Sequence, residues 1–296
     1  MAANLVLGAD GYLARHLVNN LVADGESIQC FDRRPGQAIP SLACNAFDIN
    51  DAEALRQVDW NVSRVFVMAG VTGTIASFTN YAEFVRVNET GLLNVLDAIS
   101  RSKHRPKVIF PSTRLVYKGG QFPASESAPK EAKTVYAVNK LACEGILEAY
   151  QNLFEIPFAI YRIGVPYGNT VSNDYSYGTV GAFLKQAGEN ARIFLYGDGS
   201  MRRTFTHVQD VCQQIISSSA DQRSDNEIFN LMGEDFSLKE IAELIAAKYR
   251  AKLDFIAWPE LDLRIESGST VFDSLKFEAT FDYRLRYSVQ DWLVAL

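Results

Sequence analysis

The chain has 296 residues, 48% of them hydrophobic and 22% charged, which is enough for a sizeable core and a second, smaller lobe. A formal net charge of −6 leaves no basic stripe to neutralise phosphates along a duplex, so nucleic acid is not an expected partner. Cys30, Cys44, Cys143 and Cys212 lack both metal-ligand spacing and disulfide density and read as free thiols, with no metal site. The chain enters an apolar run without a basic flank or a long hydrophobic stretch, so a cytoplasmic protein without a membrane partner is expected.

Short apolar runs alternate with amphipathic helix-length segments, the pattern of a parallel sheet with crossover helices. The predicted strands are Asn4 to Leu7, Ser27 to Asp32, Val65 to Ala69, Lys107 to Pro111 and Phe158 to Ile163. Helices are predicted over Leu13 to Ala23, Glu83 to Ser100 and Tyr136 to Asn152. After Pro166 the polar stretch Asn169 to Ser176 precedes a helix near Val180 to Ala187, then a strand at Arg192 to Tyr196 and helices at Val208 to Ser218 and Leu238 to Tyr249. Ser237 is a plausible cap for the last of these, and Asp51 for a helix that begins at Ala52. The expected fold is α/β, a doubly wound parallel sheet in residues 1–166, with 206–231 returning to it. Residues 167–205 and 232–296 then form a smaller substrate-binding lobe.

The segment from Asn4 to Leu17 is an apolar strand, a glycine-spaced turn and an apolar helix in direct succession. Unpaired amides and the positive dipole end at such a helix start suit a phosphate. Gly8 permits the tight turn, Gly11 lets the backbone approach a pyrophosphate, and Ala14 keeps the helix close to the sheet. Asp32 closes the second strand where a carboxylate accepts hydrogen bonds from an adenosine ribose, and Arg33 and Arg34 offer charge to a 2′-phosphate. NAD is favoured on this basis, with NADP left open.

Tyr136 and Lys140 share one helical face, where an ammonium favours the phenolate and suits the tyrosine to proton transfer near neutral pH. Ser112 and Thr113 end the Val108 strand, where the topology delivers them to the nicotinamide end of a dinucleotide. His207 has no second ligand at metal spacing and reads as a packed residue, whereas His16 and His104 read as helix-surface residues. Trp60, Trp258 and Trp292 read as packing.

With Gly8-x-x-Gly11-x-x-Ala14, Asp32, Asp48, Asn88, Ser112-Thr113, Tyr136-x-x-x-Lys140, Arg162 and Arg203 to Asp210 together, the chain resembles the extended short-chain dehydrogenase/reductases, the nucleotide-sugar epimerase and dehydratase family. The resemblance implies a Rossmann-type domain and a homodimer through the helices at Glu83 to Ser100 and Tyr136 to Asn152. It implies NAD or NADP held by Gly8, Gly11, Tyr12 and Leu13 at the first turn, by Asp32, Arg33, Asp48 and Ile49 around the adenosine, and by Ala69, Tyr136 and Lys140 further along. Tyr136 would exchange a proton at the sugar oxygen, Lys140 would hold the nicotinamide ribose, and Thr113 would hydrogen-bond the reacting oxygen. The substrate-binding set is Ser112, Arg114, Arg203 and Arg264, the last two gripping the nucleotide diphosphate.

Family dehydratases carry an Asp-Glu pair where this chain has Arg114 and Leu115, which argues against dehydration. The loop from Met68 to Thr74 also departs from the family's usual His-x-Ala-Ala segment and leaves the substrate open. Reduction of a 4-keto-6-deoxy sugar nucleotide is the leading expectation and 4-epimerisation the alternative. A dinucleotide-binding regulator is the reading from outside enzymology, disfavoured because a sensor does not need Thr113, Tyr136 and Lys140 together.

Overall fold

The computed structural model describes residues 3–34, 44–120, 123–171 and 178–296. Its strands in chain order are β1 (Ala3–Leu7), β2 (Ile28–Asp32), β3 (Cys44–Ala46), β4 (Val62–Val67), β5 (Lys107–Thr113), β6 (Phe158–Ile163), β7 (Val165–Tyr167), β8 (Arg192–Tyr196), β9 (Arg202–His207), β10 (Glu227–Asn230), β11 (Glu234–Ser237) and β12 (Lys252–Ile256). Seven of them pair in parallel in the order β10-β6-β5-β4-β1-β2-β3. The order reverses between β1 and β4, which opens a crevice at their carboxyl ends. Helices cover both faces, so β6 is buried at every position and reads as a continuous apolar run broken only by Arg162.

Around this Rossmann-type sheet sit two apolar cores, one centred on Leu5, Val65 and Val95, the other on Val6, Phe66 and Val211. A third core gathers Phe183, Ile193, Ile241 and Trp292 beside β9, which pairs with β7 and β11, and beside the separate β8–β12 pair. The Leu238–Tyr249 helix starts at a capping box in which Ser237 Oγ accepts from Glu240 N at 3.1 Å and Glu240 accepts from Ser237 N at 2.7 Å. Asp51 caps the Ala52–Arg56 helix through the amides of Glu53 and Ala54. No helix among the described residues is long and apolar enough to cross a membrane.

Three expectations need correction. The helix predicted from Glu83 to Ser100 is divided into Tyr81–Phe84, a π-turn at Val85–Thr90 and a helix at Gly91–Arg101. In the wide turn the Asn88 side chain is buried and braces the backbone of Val71, accepting from its N–H at 2.8 Å and donating to its carbonyl at 3.0 Å. His16 is fully buried rather than on a helix surface, because its Nδ1 donates to Tyr12 O at 2.8 Å and its Nε2 accepts from Thr170 N at 3.0 Å. His104 lies outside any helix, in the exposed turn before β5. Of the polar stretch Asn169 to Ser176, only residues 169–171 fall among the described residues.

The Val135–Phe154 helix is joined to the sheet through one buried ion pair. Arg162 on β6 donates to Glu144 through Nε at 3.0 Å and Nη2 at 2.6 Å, and Ser112 Oγ donates to the same carboxylate at 2.5 Å. The rest of the guanidinium reaches Tyr117 Oη at 2.7 Å and the Glu126 carbonyl at 2.9 Å. Removing one partner of such a pair strands the other charge in the core. Glu144→Ala is therefore expected to lower unfolding free energy by roughly 3–5 kcal/mol, read from denaturant midpoints, and a loss under 1 kcal/mol would contradict this account.

Candidate active site

At the switch point, β1 runs into the glycine turn and the helix α1 (Tyr12–Ala23). Gly8 has φ +84°, and a Cβ there would lie 2.4 Å from Ala69 N, so the turn requires glycine on two counts. Gly11 differs. A Cβ at that position would meet nothing of the protein closer than 3.5 Å, so internal packing does not demand a glycine and only an approaching ligand would. No side chain caps the α1 N-terminus, which suits a phosphate at that end.

One cleft brings together Gly8, Gly11, Asp32, Arg33, Asp48, Ile49 and Ala69. The sequence reading missed its apolar floor of Phe31, Phe47, Met68, Val71 and Val87. Phe31 precedes Asp32 in β2, but Phe47 and Val87 come from separate segments and carry no local signal. Asp32 accepts from Asp10 N at 3.0 Å and Arg34 N at 2.8 Å, bracing the glycine turn while keeping lone pairs for further donors. Burial first and the Asp32 charge second raise the Asp10 carboxyl above its ordinary range, against the pull of Arg15. Arg33, at the edge of the cleft, bonds Glu83 at 3.3 Å. Open glycine backbone, an uncapped helix start and a strand-end carboxylate over an apolar floor are the features a dinucleotide needs, so the residues fit that group. The side chains of Tyr12 and Leu13 do not line the cleft: Tyr12 Oη donates to Gly168 O at 2.5 Å and Leu13 packs into the core, so neither side chain is placed to hold the group.

Thr113 ends β5, buried, with its Oγ1 accepting from Leu115 N at 3.3 Å to start the short turn Arg114–Val116. Tyr136 stands half-buried in the first turn of the Val135–Phe154 helix, its ring edge-on to Phe84 at 6.3 Å. One helical turn on, buried Lys140 donates to Pro111 O at 2.7 Å and lies 4.3 Å from the centre of the Phe110 ring. Lys140 thus grips β5 two residues before Thr113. Burial brings its ammonium down to about 8, with Cys143 and Glu144 opposing the shift.

A second cleft, between the sheet domain and the β8–β12 lobe, is lined by Thr74, Arg114, Leu115, Tyr196, Trp258 and Glu266 among others. Trp258 was read as packing; it does lie against Gly197, yet it also faces this cleft, tilted on Tyr196 at 5.0 Å. Three substrate-binding expectations are corrected. Ser112 turns its hydroxyl inward to Glu144. Arg203 is 2% exposed and is spent on Glu266 at 2.6 Å and on the carbonyls of Arg202 and Gly268. Arg264 projects from the Glu260–Ile265 helix into solvent, paired with Glu260. His207 is packed as read, stacked on Tyr287 at 4.2 Å.

Residues 4–231 match the sequence pattern of the NAD dependent epimerase/dehydratase family. The chain belongs to that family. It is 29% identical over 257 residues to a UDP-N-acetyl-alpha-D-glucosaminuronate decarboxylase of Bacillus cytotoxicus, covering 81% of this chain and 78% of that one. A UDP-glucuronate 4-epimerase of Thermodesulfobacterium geofontis is 26% identical over 253 residues, covering 83% and 75%. In three dimensions the chain is similar to the UDP-glucose 4-epimerase of Thermus thermophilus solved in complex with NAD, with a TM-score of 0.86 at 22% identity over 98% of this chain and 96% of that one. The relatives are enzymes, and so is this chain.

The Lys140 shift is directly measurable. Carbon NMR of the lysine ε-carbons in cofactor-free protein is expected to give a Lys140 midpoint near 8, and a midpoint above 10 would refute the burial argument. Because the unfolded chain holds this proton up to about 10.5, it binds more protons than the folded chain between about 8 and 10.5. By linkage this group's contribution to stability therefore rises with pH across that window.

Proposed function

We propose that this chain interconverts the C4 epimers of a nucleotide-activated sugar through a transient 4-ketone, using a resident NAD. NAD, when bound, supplies reversible hydride acceptance; the remaining work falls to the protein. Tyr136 takes the C4 hydroxyl proton as the ketone forms and returns it when the other face is reduced. Lys140 keeps a positive charge one helical turn away that favours the phenolate, and Thr113 Oγ1 offers a hydrogen bond to the same oxygen. The observation that carries this reading is that Lys140, on the helix that presents Tyr136, bonds β5 at Pro111, two residues before Thr113.

Two observations favour epimerisation over the 4-ketoreductase expectation. Arg33 bonds Glu83, and the Asp32 carboxylate with the Asp10 charge nearby stands at the adenosine end of the cleft, which disfavours the 2′-phosphate of NADP. A retained NAD that is restored in each cycle suits an epimerase, whereas a reductase must exchange reduced cofactor every turn. Arg114 and Leu115 supply no carboxylates for C5 deprotonation and loss of a hydroxyl, so dehydration is not part of the proposal. A homodimer is inferred from the exposed apolar side chains of Val85, Leu93 and Val138 on the two segments expected to pair.

Tyr136→Phe is expected to bind NAD as the wild type does and to lose at least about 100-fold in turnover. The assay follows C4 epimers of UDP-sugars by anion-exchange chromatography without added cofactor. Unchanged turnover defeats the assignment. Stoichiometric loss of 340 nm absorbance with a 4-keto-6-deoxy sugar nucleotide, and no epimerisation, would return the reading to the ketoreductase.

A further inference from the structure

Among the residues lining the cleft between the domains, Arg114 is the sole arginine or lysine. The carboxylates there are Asp262 and Glu266, and the latter is held by Arg203 at 2.6 Å. Arg114 makes no ion pair within 4 Å among the described residues, and its recorded side-chain bond is from Nη1 to the hydroxyl of Thr270 at 2.9 Å. Arg114 is half-buried, and desolvation first, with Arg203 second, lowers its proton affinity, Glu266 acting the other way. A guanidinium that lines a cleft half-buried and without a paired carboxylate is placed to take an anion from a ligand that closes the cleft over it.

Where that anion sits on the ligand follows from chain geometry. Arg114 is the residue directly after Thr113, about 3.8 Å further along the backbone. In a pyranose, C6 is two bonds from C4, while the diphosphate hangs from C1 on the far side of the ring. A cation next to the residue that bonds the C4 oxygen therefore stands at the C4–C6 end. Resting on the C4 reading above, we infer that Arg114 binds a carboxylate at C6, so that the substrate is a nucleotide-activated uronic acid. A planar guanidinium matches a carboxylate with two parallel hydrogen bonds, and a neutral hydroxymethyl group leaves it desolvated and unpaired.

The same pairing bears on the product. Loss of CO2 from a 4-keto uronate breaks the C5–C6 bond and moves its electron pair to the C4 oxygen as an enolate, which is then protonated. An ion pair holds the negative charge on the carboxylate and opposes that shift. The pairing therefore favours a product that retains its carboxylate.

The test uses the full-length, NAD-loaded protein with UDP-glucuronate and UDP-glucose. Wild type is expected to favour UDP-glucuronate by roughly 100-fold in kcat/KM. Arg114→Ala, checked for NAD content and melting temperature, is expected to shrink that preference at least tenfold through KM, and Arg114→Lys to restore part of it. An equal loss on both substrates would place Arg114 on the shared diphosphate and overturn the inference, as would a wild type with no preference. Calorimetric binding to Tyr136→Phe separates the two readings. Tighter binding of UDP-glucuronate than UDP-glucose that vanishes in the Arg114→Ala double variant supports the uronate site even where no epimer forms, and equal or absent binding of the two overturns it.

Discussion

The ion pair between Arg162 and Glu144 fixes everything that matters at the reacting end of this molecule. It ties strand β6 to the helix that carries Tyr136 and Lys140, and the same carboxylate takes the Ser112 hydroxyl from the neighbouring strand β5. With Lys140 on the Pro111 carbonyl, two bonds at different levels set both the height and the rotation of the helix against the strand that ends in Thr113. Arg162 continues through Tyr117 to Asn230 on β10, whose side-chain amide reaches the carbonyls of Ala124 and Asp273. Replacing such a pair by apolar groups of the same shape could be as stable. An apolar contact, however, would not set the helix register as narrowly as a two-point charged bond does.

The sheet was legible in the sequence because both of its faces are buried, and a strand buried on both faces announces itself as an apolar run. Phe158–Ile163 is the clearest instance, the observed strand coinciding with the predicted one. Caps were legible for a similar local reason: Ser237 and Asp51 bond amides within three residues of themselves. The π-turn at Val85–Thr90 was not, since helical periodicity reports which face is apolar and not whether one extra residue has been inserted per turn. His16 was misread because its partners, Asn169 and Thr170, lie about 150 residues away.

The same distinction divides the candidate site. Gly8, Gly11, Asp32 and Ala69 meet in one cleft because backbone geometry alone places them there, and sequence spacing encodes backbone geometry. Long charged side chains choose among partners that only folding provides. Arg203 finds Glu266 across 63 residues and is lost to the surface of the cleft, and Arg264 finds Glu260 one turn back on its own helix. Arg114 stood out in the sequence as a departure from the family's Asp-Glu pair, but that its neighbours leave its charge without a close carboxylate is visible only in the fold.

Cofactor and substrate regions are also coupled mechanically, through α1. Tyr12 and His16 lie one turn apart on that helix, and both bond the loop that follows β7: Tyr12 Oη donates to Gly168 O at 2.5 Å, and His16 Nε2 accepts from Thr170 N at 3.0 Å. Gly168 has φ +86°, and a Cβ there would fall 2.4 Å from His207 Nε2, so only glycine lets the loop pack this close to the end of β9. His207 is itself held between Tyr167 at 5.3 Å and Tyr287 at 4.2 Å. The helix whose first turn faces the dinucleotide cleft is thereby locked to the start of the second lobe by short bonds and a tight contact. A displacement at the glycine turn is carried through these bonds to the end of β7, which pairs with β9.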